Sequence, residues 1–108
     1  MTFKVTVIRH AERQSRDILK WIADRSIQGA DRWLSAYDQM IDRLEHHADE
    51  CSLAPENEST LLTIRQIHFK TPHGRPYRAL FTIDENDVRV LAIRGPGQDL
   101  VPARDLER

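Results

Sequence analysis

An α+β fold with the element order β-α-α-β-β-β follows from three features of the chain: an alternating apolar pattern at the start, two consecutive helical stripes, and three further strand-like segments separated by turn residues. Strands on both sides of a helix pair require one twisted, mainly antiparallel sheet, with two antiparallel helices packed on one face. At 108 residues the chain has room for one core, so it is read as a single domain over residues 1–98 with a polar C-terminal tail over 99–108.

Phe3-Lys4-Val5-Thr6-Val7-Ile8 alternates apolar and polar side chains and is rich in β-branched residues, as suits a half-buried strand. From Ala11 to Arg25, Ala11, Ile18, Leu19 and Ile22 recur at helical spacing among charged residues, which predicts an amphipathic helix. Ser26-Ile27-Gln28-Gly29 interrupts it as a short turn. Ala30, Trp33, Leu34, Tyr37, Met40, Ile41, Leu44 and Ala48 then repeat at threes and fours along a longer second helix. Ser52 to Ser59 reads as a loop, because Pro55 cannot sustain a helix. Leu62 to Phe69 is the next strand, and Thr71 to Pro76 links it to Tyr77 to Ile83. The turn tetrad Asp84-Glu85-Asn86-Asp87 joins that strand to Val88 to Ile93 as a hairpin.

Hydrophobic residues make up 40% and charged residues 31% of the chain, a globular composition with no low-complexity tract. Its apolar runs fall far short of the roughly 18–20 residues of a membrane span, and the N-terminus lacks a secretory apolar region, so the cytosol is the expected location. The single cysteine, Cys51, has no partner for an internal disulfide. A formal net charge of -1 discourages a general nucleic-acid binder. The average hides a segregation, however. Gln28 to Glu58 holds eight acids against Arg32 and Arg43, whereas Ser59 to Ile83 holds Arg65, Lys70, Arg75 and Arg78 and no acid. That distribution predicts an acidic and a basic face, the latter suited to an anionic partner.

Taken together, several stretches resemble the RelE/ParE toxin superfamily, the plasmid stabilisation toxins of type II toxin–antitoxin systems. They are Ala11-Glu12-Arg13, Ala30-Asp31-Arg32-Trp33, Cys51-Ser52-Leu53-Ala54-Pro55-Glu56, the strand Tyr77-Arg78-Ala79-Leu80-Phe81 and the strand Val88-Arg89-Val90-Leu91 closing on Arg94. The resemblance runs from about residue 3 to residue 98. It implies a growth-inhibitory toxin neutralised by a cognate antitoxin, with higher-order assembly through that antitoxin. ParE-like members are associated with inhibition of DNA gyrase, the reading favoured here. RelE-like members are endoribonucleases that cut messenger RNA on the ribosome, and an inactive member acting only as a binding domain is the third reading.

If the chain is RelE-like, the resemblance assigns catalysis to Arg65, Lys70, Arg78 and Arg94, which would activate the attacking 2'-hydroxyl and stabilise the phosphate. The tyrosine or histidine that such enzymes carry beyond the last arginine is replaced here by Gly95-Pro96-Gly97-Gln98, leaving His68 or His73 as the available imidazole. Each has a plainer role open to it, Arg78 as a brace for a loop carboxylate and Arg65 and Lys70 as strand-edge charges. No cofactor or metal is expected. His46 and His47 point about 100 degrees apart on a helix, and the pair His47 and Cys51 is too few ligands to close a site.

Overall fold

The computed structural model describes residues 2–59, 61–98 and 106; the remainder of the tail expected over 99–108 lies outside the described residues. Strand β1 (Lys4–Val7) leads through Ile8 into helix α1 (Arg9–Ala23), which is followed by helix α2 (Ile27–His47). Short 3-10 turns at Ala48–Glu50 and Pro55–Ser59 precede strands β2 (Arg65–Phe69), β3 (Tyr77–Asp84) and β4 (Asp87–Arg94). The sheet order is β1-β4-β3-β2. Its β3 is antiparallel to both β2 and β4, and β1 runs parallel to β4. This is the expected α+β, RelE/ParE-like architecture, with both helices packed on one four-stranded sheet.

Local chemistry moves several boundaries. The link between the helices is shorter than the tetrad Ser26 to Gly29 suggests, because Ser26 is itself the N-cap of α2 and its hydroxyl accepts the Gly29 N–H at 2.9 Å. Strand β2 begins at Arg65 rather than Leu62. The Ile64 N–H instead donates to Asn57 Oδ1 at 2.8 Å, and the Ile64 carbonyl accepts the Ala54 N–H at 2.9 Å. In the hairpin, Asp84 and Asp87 pair directly, so only Glu85 and Asn86 turn the chain, and Glu85 takes a φ of 55°.

The main core lies between the helices and the sheet, where Ala11, Trp33, Met40 and Leu44 meet Phe69, Ala79, Phe81, Val88, Val90 and Ile93. Trp33 anchors an aromatic group across α2, β2 and β3, with ring centroids 5.3 Å from Tyr37, 5.6 Å from Phe69 and 5.7 Å from Tyr77. A register shift at Leu80/Phe81 leaves Leu91 without a partner across the sheet. Nearby, Gln14 of α1 accepts the Ile93 N–H at 2.8 Å and ties helix to sheet.

Helices packed on one face alone would leave the far face of the sheet bare, and it is not bare. Leu80 and Ala92, directly paired across β3 and β4, are covered there by Ala54 and Ile64 from the α2–β2 connection and by Leu106. Leu106, from the segment expected to be a polar tail, is only 1% exposed. Ala54 and Ile64, with Leu106, supply a second, smaller apolar lid, so this sheet has cover on both sides.

Candidate partner-binding surfaces

Strand alternation decides where the predicted site residues go. His68, Arg78 and Arg94 are direct cross-strand partners on β2, β3 and β4 and therefore share the far face. Arg65 is paired with Phe81 and belongs to the helix side, where its guanidinium donates to the Cys51 carbonyl at 2.5 Å. Lys70 follows the end of β2 at the margin next to α2, lining a cavity with Arg32, Ser35 and Gln39. The four basic residues assigned to a ribonuclease centre thus do not share one surface. The odd and even positions of a strand face opposite ways, and a run of cations in sequence is split by the pleat.

The centre of the far face is electrically closed. Arg78 donates from Nη1 to Glu56 Oε1 at 2.9 Å and from Nη2 to Glu56 Oε2 at 2.7 Å, a two-pronged pair, and Nη1 also reaches Gln66 Oε1 at 3.1 Å. The Glu56 side chain is 1% exposed and that of Arg78 17%. Glu56 comes from the acidic stretch, on the 3-10 turn Pro55–Ser59. The two residues are 22 positions apart, and no local pattern links them. Beside this pair, a shallow hollow of about 230 Å³ is lined by His68, Arg75, Arg78 and the Gly95–Gln98 turn. Gln98 Oε1 accepts the Gly95 N–H, folding that turn on itself.

A different basic site is open. Between the N-terminal turn of α2 and the β2–β3 connection lies a cleft of about 310 Å³, lined by Arg32, Arg75, Thr71 and the rings of Trp33 and Tyr77. Among the described residues neither Arg32 nor Arg75 has an ion-pair partner, whereas Arg25 stacks on Trp21, Arg43 holds the His68 carbonyl, and Arg65 and Arg78 are engaged as above. The first turn of α2 carries no acid, so the positive end of its dipole faces this region uncompensated. Trp33 is 2% exposed and its indole N–H has no acceptor among the described residues. Sharing Tyr77 and Pro96, a second hollow of about 440 Å³ runs along α1 past Ile18 and Trp21, with Asp17 at one side. Trp21 is 58% exposed and is covered on one ring face by the Arg25 guanidinium at 3.7 Å. Arg32 and Arg75 stand in opposite charge regions of the sequence, which is why segment charge did not single them out.

The remaining polar groups at the end of α2 are local. His47 Nδ1 meets Glu50 at 2.5 Å, and His46 Nδ1 meets the Asp42 carbonyl at 3.0 Å. Asp42, Glu45 and His46 bring ligand atoms within 4.8 Å of one another on the exposed face of the helix. Burial pushes the Cys51 thiol above its usual value, against the pull of Arg43 and Arg65 in the other direction.

Among the described residues no helix is long and apolar enough to cross a membrane. The described residues thus form a four-stranded mixed sheet carrying a helical hairpin, with a basic cleft where the α2 N-terminus meets the β2–β3 connection. The family model described as "ParE toxin of type II toxin-antitoxin system, parDE" matches residues 5–100, and the chain belongs to that family. Its membership makes it the toxin component of a type II toxin–antitoxin pair and implies a cognate antitoxin as partner. A search of curated proteins returns no match.

Proposed function

We propose that this toxin acts in the cytoplasm by docking on DNA gyrase, without a nuclease centre of its own, and that its cognate antitoxin silences it by binding. The Glu56–Arg78 pair carries this reading. A guanidinium that stabilises a phosphorane-like transition state must be free to meet charge developing on the substrate. Arg78 already meets a buried carboxylate with both of its terminal nitrogens. After Arg94 the chain continues Gly95-Pro96-Gly97-Gln98, which offers no imidazole or phenol to carry a proton. Assembly beyond one toxin chain, through the antitoxin, belongs to the same reading.

The test replaces charge while keeping shape. The double substitution Glu56→Gln with Arg78→Met removes the ion pair without leaving either member buried alone. If the pair is a brace, induced expression of the double variant still arrests growth, and purified protein still lowers gyrase supercoiling. Messenger-RNA breakpoints on ribosomes that appear with the unsubstituted chain and vanish with the double variant would overturn the gyrase reading in favour of ribonuclease action.

A further inference from the structure

The cleft at the α2 N-terminus has two features that the Glu56–Arg78 pair lacks: guanidinium groups without counterions among the described residues, and adjoining apolar surface that is exposed. Arg32 and Arg75 line it from opposite elements, one on the first helical turns and one on the β2–β3 connection. Asp31, the neighbour of Arg32, does not line it. Thr71 adds a hydroxyl, and the rest of the lining is Ile22, Trp33, Tyr77 and Pro96 with the glycines Gly29 and Gly74. A volume of about 310 Å³ accommodates one or two side chains rather than an extended polyanion. The adjoining hollow has the opposite character. It offers Trp21, Ile18 and Tyr77 as apolar surface and Asp17 as its charge, so an acid is repelled there and an apolar side chain is welcome.

We propose that the Arg32/Arg75 cleft anchors a carboxylate side chain of a bound peptide segment, whose next apolar side chains lie along Trp21 and Ile18. The occupant is a segment of the antitoxin, so this inference rests on the toxin–antitoxin reading and adds to it the address and the polarity of the docking. Two guanidinium groups on one carboxylate give charge-assisted, directional hydrogen bonds. Both side chains are exposed and free to turn to an incoming carboxylate, and the apolar hollow alongside supplies binding area that charge alone cannot. A nucleic-acid strand needs a continuous cationic track along its backbone. Asp17 lines the adjoining hollow and breaks such a track there, and Arg25 already covers one face of Trp21.

The measurement follows the two tryptophan indole N–H resonances of the full chain by heteronuclear NMR, since Trp33 walls the cleft and Trp21 the hollow. Three probes are titrated: the blocked peptide Ser-Glu-Leu-Leu-Ser, the same peptide with Gln for Glu, and a thymidine oligonucleotide. The Glu peptide is expected to move both resonances saturably. The Gln peptide should bind at least about tenfold more weakly, as should the Glu peptide on Arg32→Gln or Arg75→Gln, each having lost a charge-assisted contact. Arg89→Gln, on exposed β4 surface, serves as the control and should bind like the unsubstituted chain. Equal binding of the two peptides, no effect of either arginine substitution, no saturable shift in the millimolar range, or tighter binding of the oligonucleotide at these resonances would each overturn the proposal.

A growth assay separates this failure from failure of the parent reading. Toxin carrying both arginine substitutions should still arrest growth yet escape neutralisation by the co-expressed antitoxin. Full neutralisation of that variant removes the cleft from the interface while the toxin–antitoxin reading stands. An unsubstituted chain that arrests nothing would undo the parent reading, and the NMR titration would still judge the cleft.

Discussion

Two arginine-bearing regions of this molecule differ in one respect that matters more than their charge. On the far face, Arg78 is answered by Glu56 from the α2–β2 connection, and the apolar positions beside it are covered by Ala54, Ile64 and Leu106. At the α2 N-terminus, Arg32 and Arg75 line a cleft with no counterion among the described residues, next to an exposed tryptophan. The first arrangement stabilises the fold and the second is available to a partner. A count of basic residues would rank them the other way, because Arg78 sits in the acid-free stretch and Arg32 does not.

The largest expected effect comes from breaking the closed region. Arg78→Ala leaves a Glu56 carboxylate that is 1% exposed with no guanidinium, and losing one partner of a buried pair typically costs about 3–5 kcal/mol. The 17% exposure of Arg78 places the loss toward the lower end of that range, since water screens part of the interaction. Urea unfolding measures it, and the double variant Glu56→Gln/Arg78→Met should recover most of the loss. A drop below about 1 kcal/mol for Arg78→Ala would mean that the pair is not what holds the α2–β2 connection on the sheet. The contrast is sharpened by Arg32→Gln and Arg75→Gln, both exposed and unpaired, which should stay within about 0.5 kcal/mol of the parent.

These outcomes bear on what the sequence made legible. The helical hairpin was readable from the Ala30 to Ala48 stripe, and the β3–β4 hairpin from two β-branched runs around a turn, since burial on one side imposes a period. Features that depend on meetings between distant segments were not. Nothing at Pro55-Glu56-Asn57 announces that Glu56 will reach Arg78 and that Asn57 will take the backbone of Ile64. The segregation of acids and bases along the chain suggested separate faces, but folding inserts one acid into the basic sheet and sets Arg32 beside Arg75. Leu106 could not be read as core because Leu100, Val101 and Leu106 in so short a segment, broken by Pro102, set no clear period.

Alkaline titration gives an intermediate effect that distinguishes the cleft wall from the core beneath it. Both tyrosines, Tyr37 and Tyr77, have hydroxyls held above the ordinary value of 10.0, chiefly by burial, with Ser15 opposing and Glu12 and Asp38 adding to the shift at Tyr37. A group whose pKa is raised in the folded state contributes stability that is complete below its unfolded value and is lost as pH rises through the folded one. Stability should therefore hold up to about pH 10 with respect to these groups and decline above it. The phenolate absorbance of the native protein should rise at higher pH than that of the urea-unfolded chain, and coincident curves would contradict the burial of both rings. Tyr77→Phe, at the cleft wall, should remove one of the two delayed ionisations and leave the other.

A stability change as small as that of the arginine variants is expected at Gly29, where the open cleft and the helix start meet. An alanine in a helix is favoured over glycine by up to about 1 kcal/mol, which taken alone predicts a more stable protein. A Cβ at this position would, however, lie 3.2 Å from Ser26 Oγ and 3.4 Å from Ile22 Cγ2. Ser26 Oγ is not free to yield, because it is the acceptor that caps α2 through the Gly29 N–H, and disturbing such a cap typically costs about 1 kcal/mol. The two effects are of similar size and opposite sign, so Gly29→Ala should unfold within about 0.5 kcal/mol of the parent in urea. The same methyl group intrudes on the wall of the cleft, so affinity for the Glu-bearing peptide should fall while stability does not. A variant stabilised by the full helix-propensity gain would show instead that Ser26 can move aside, and that the floor of the cleft is more yielding than its hydrogen bonding implies.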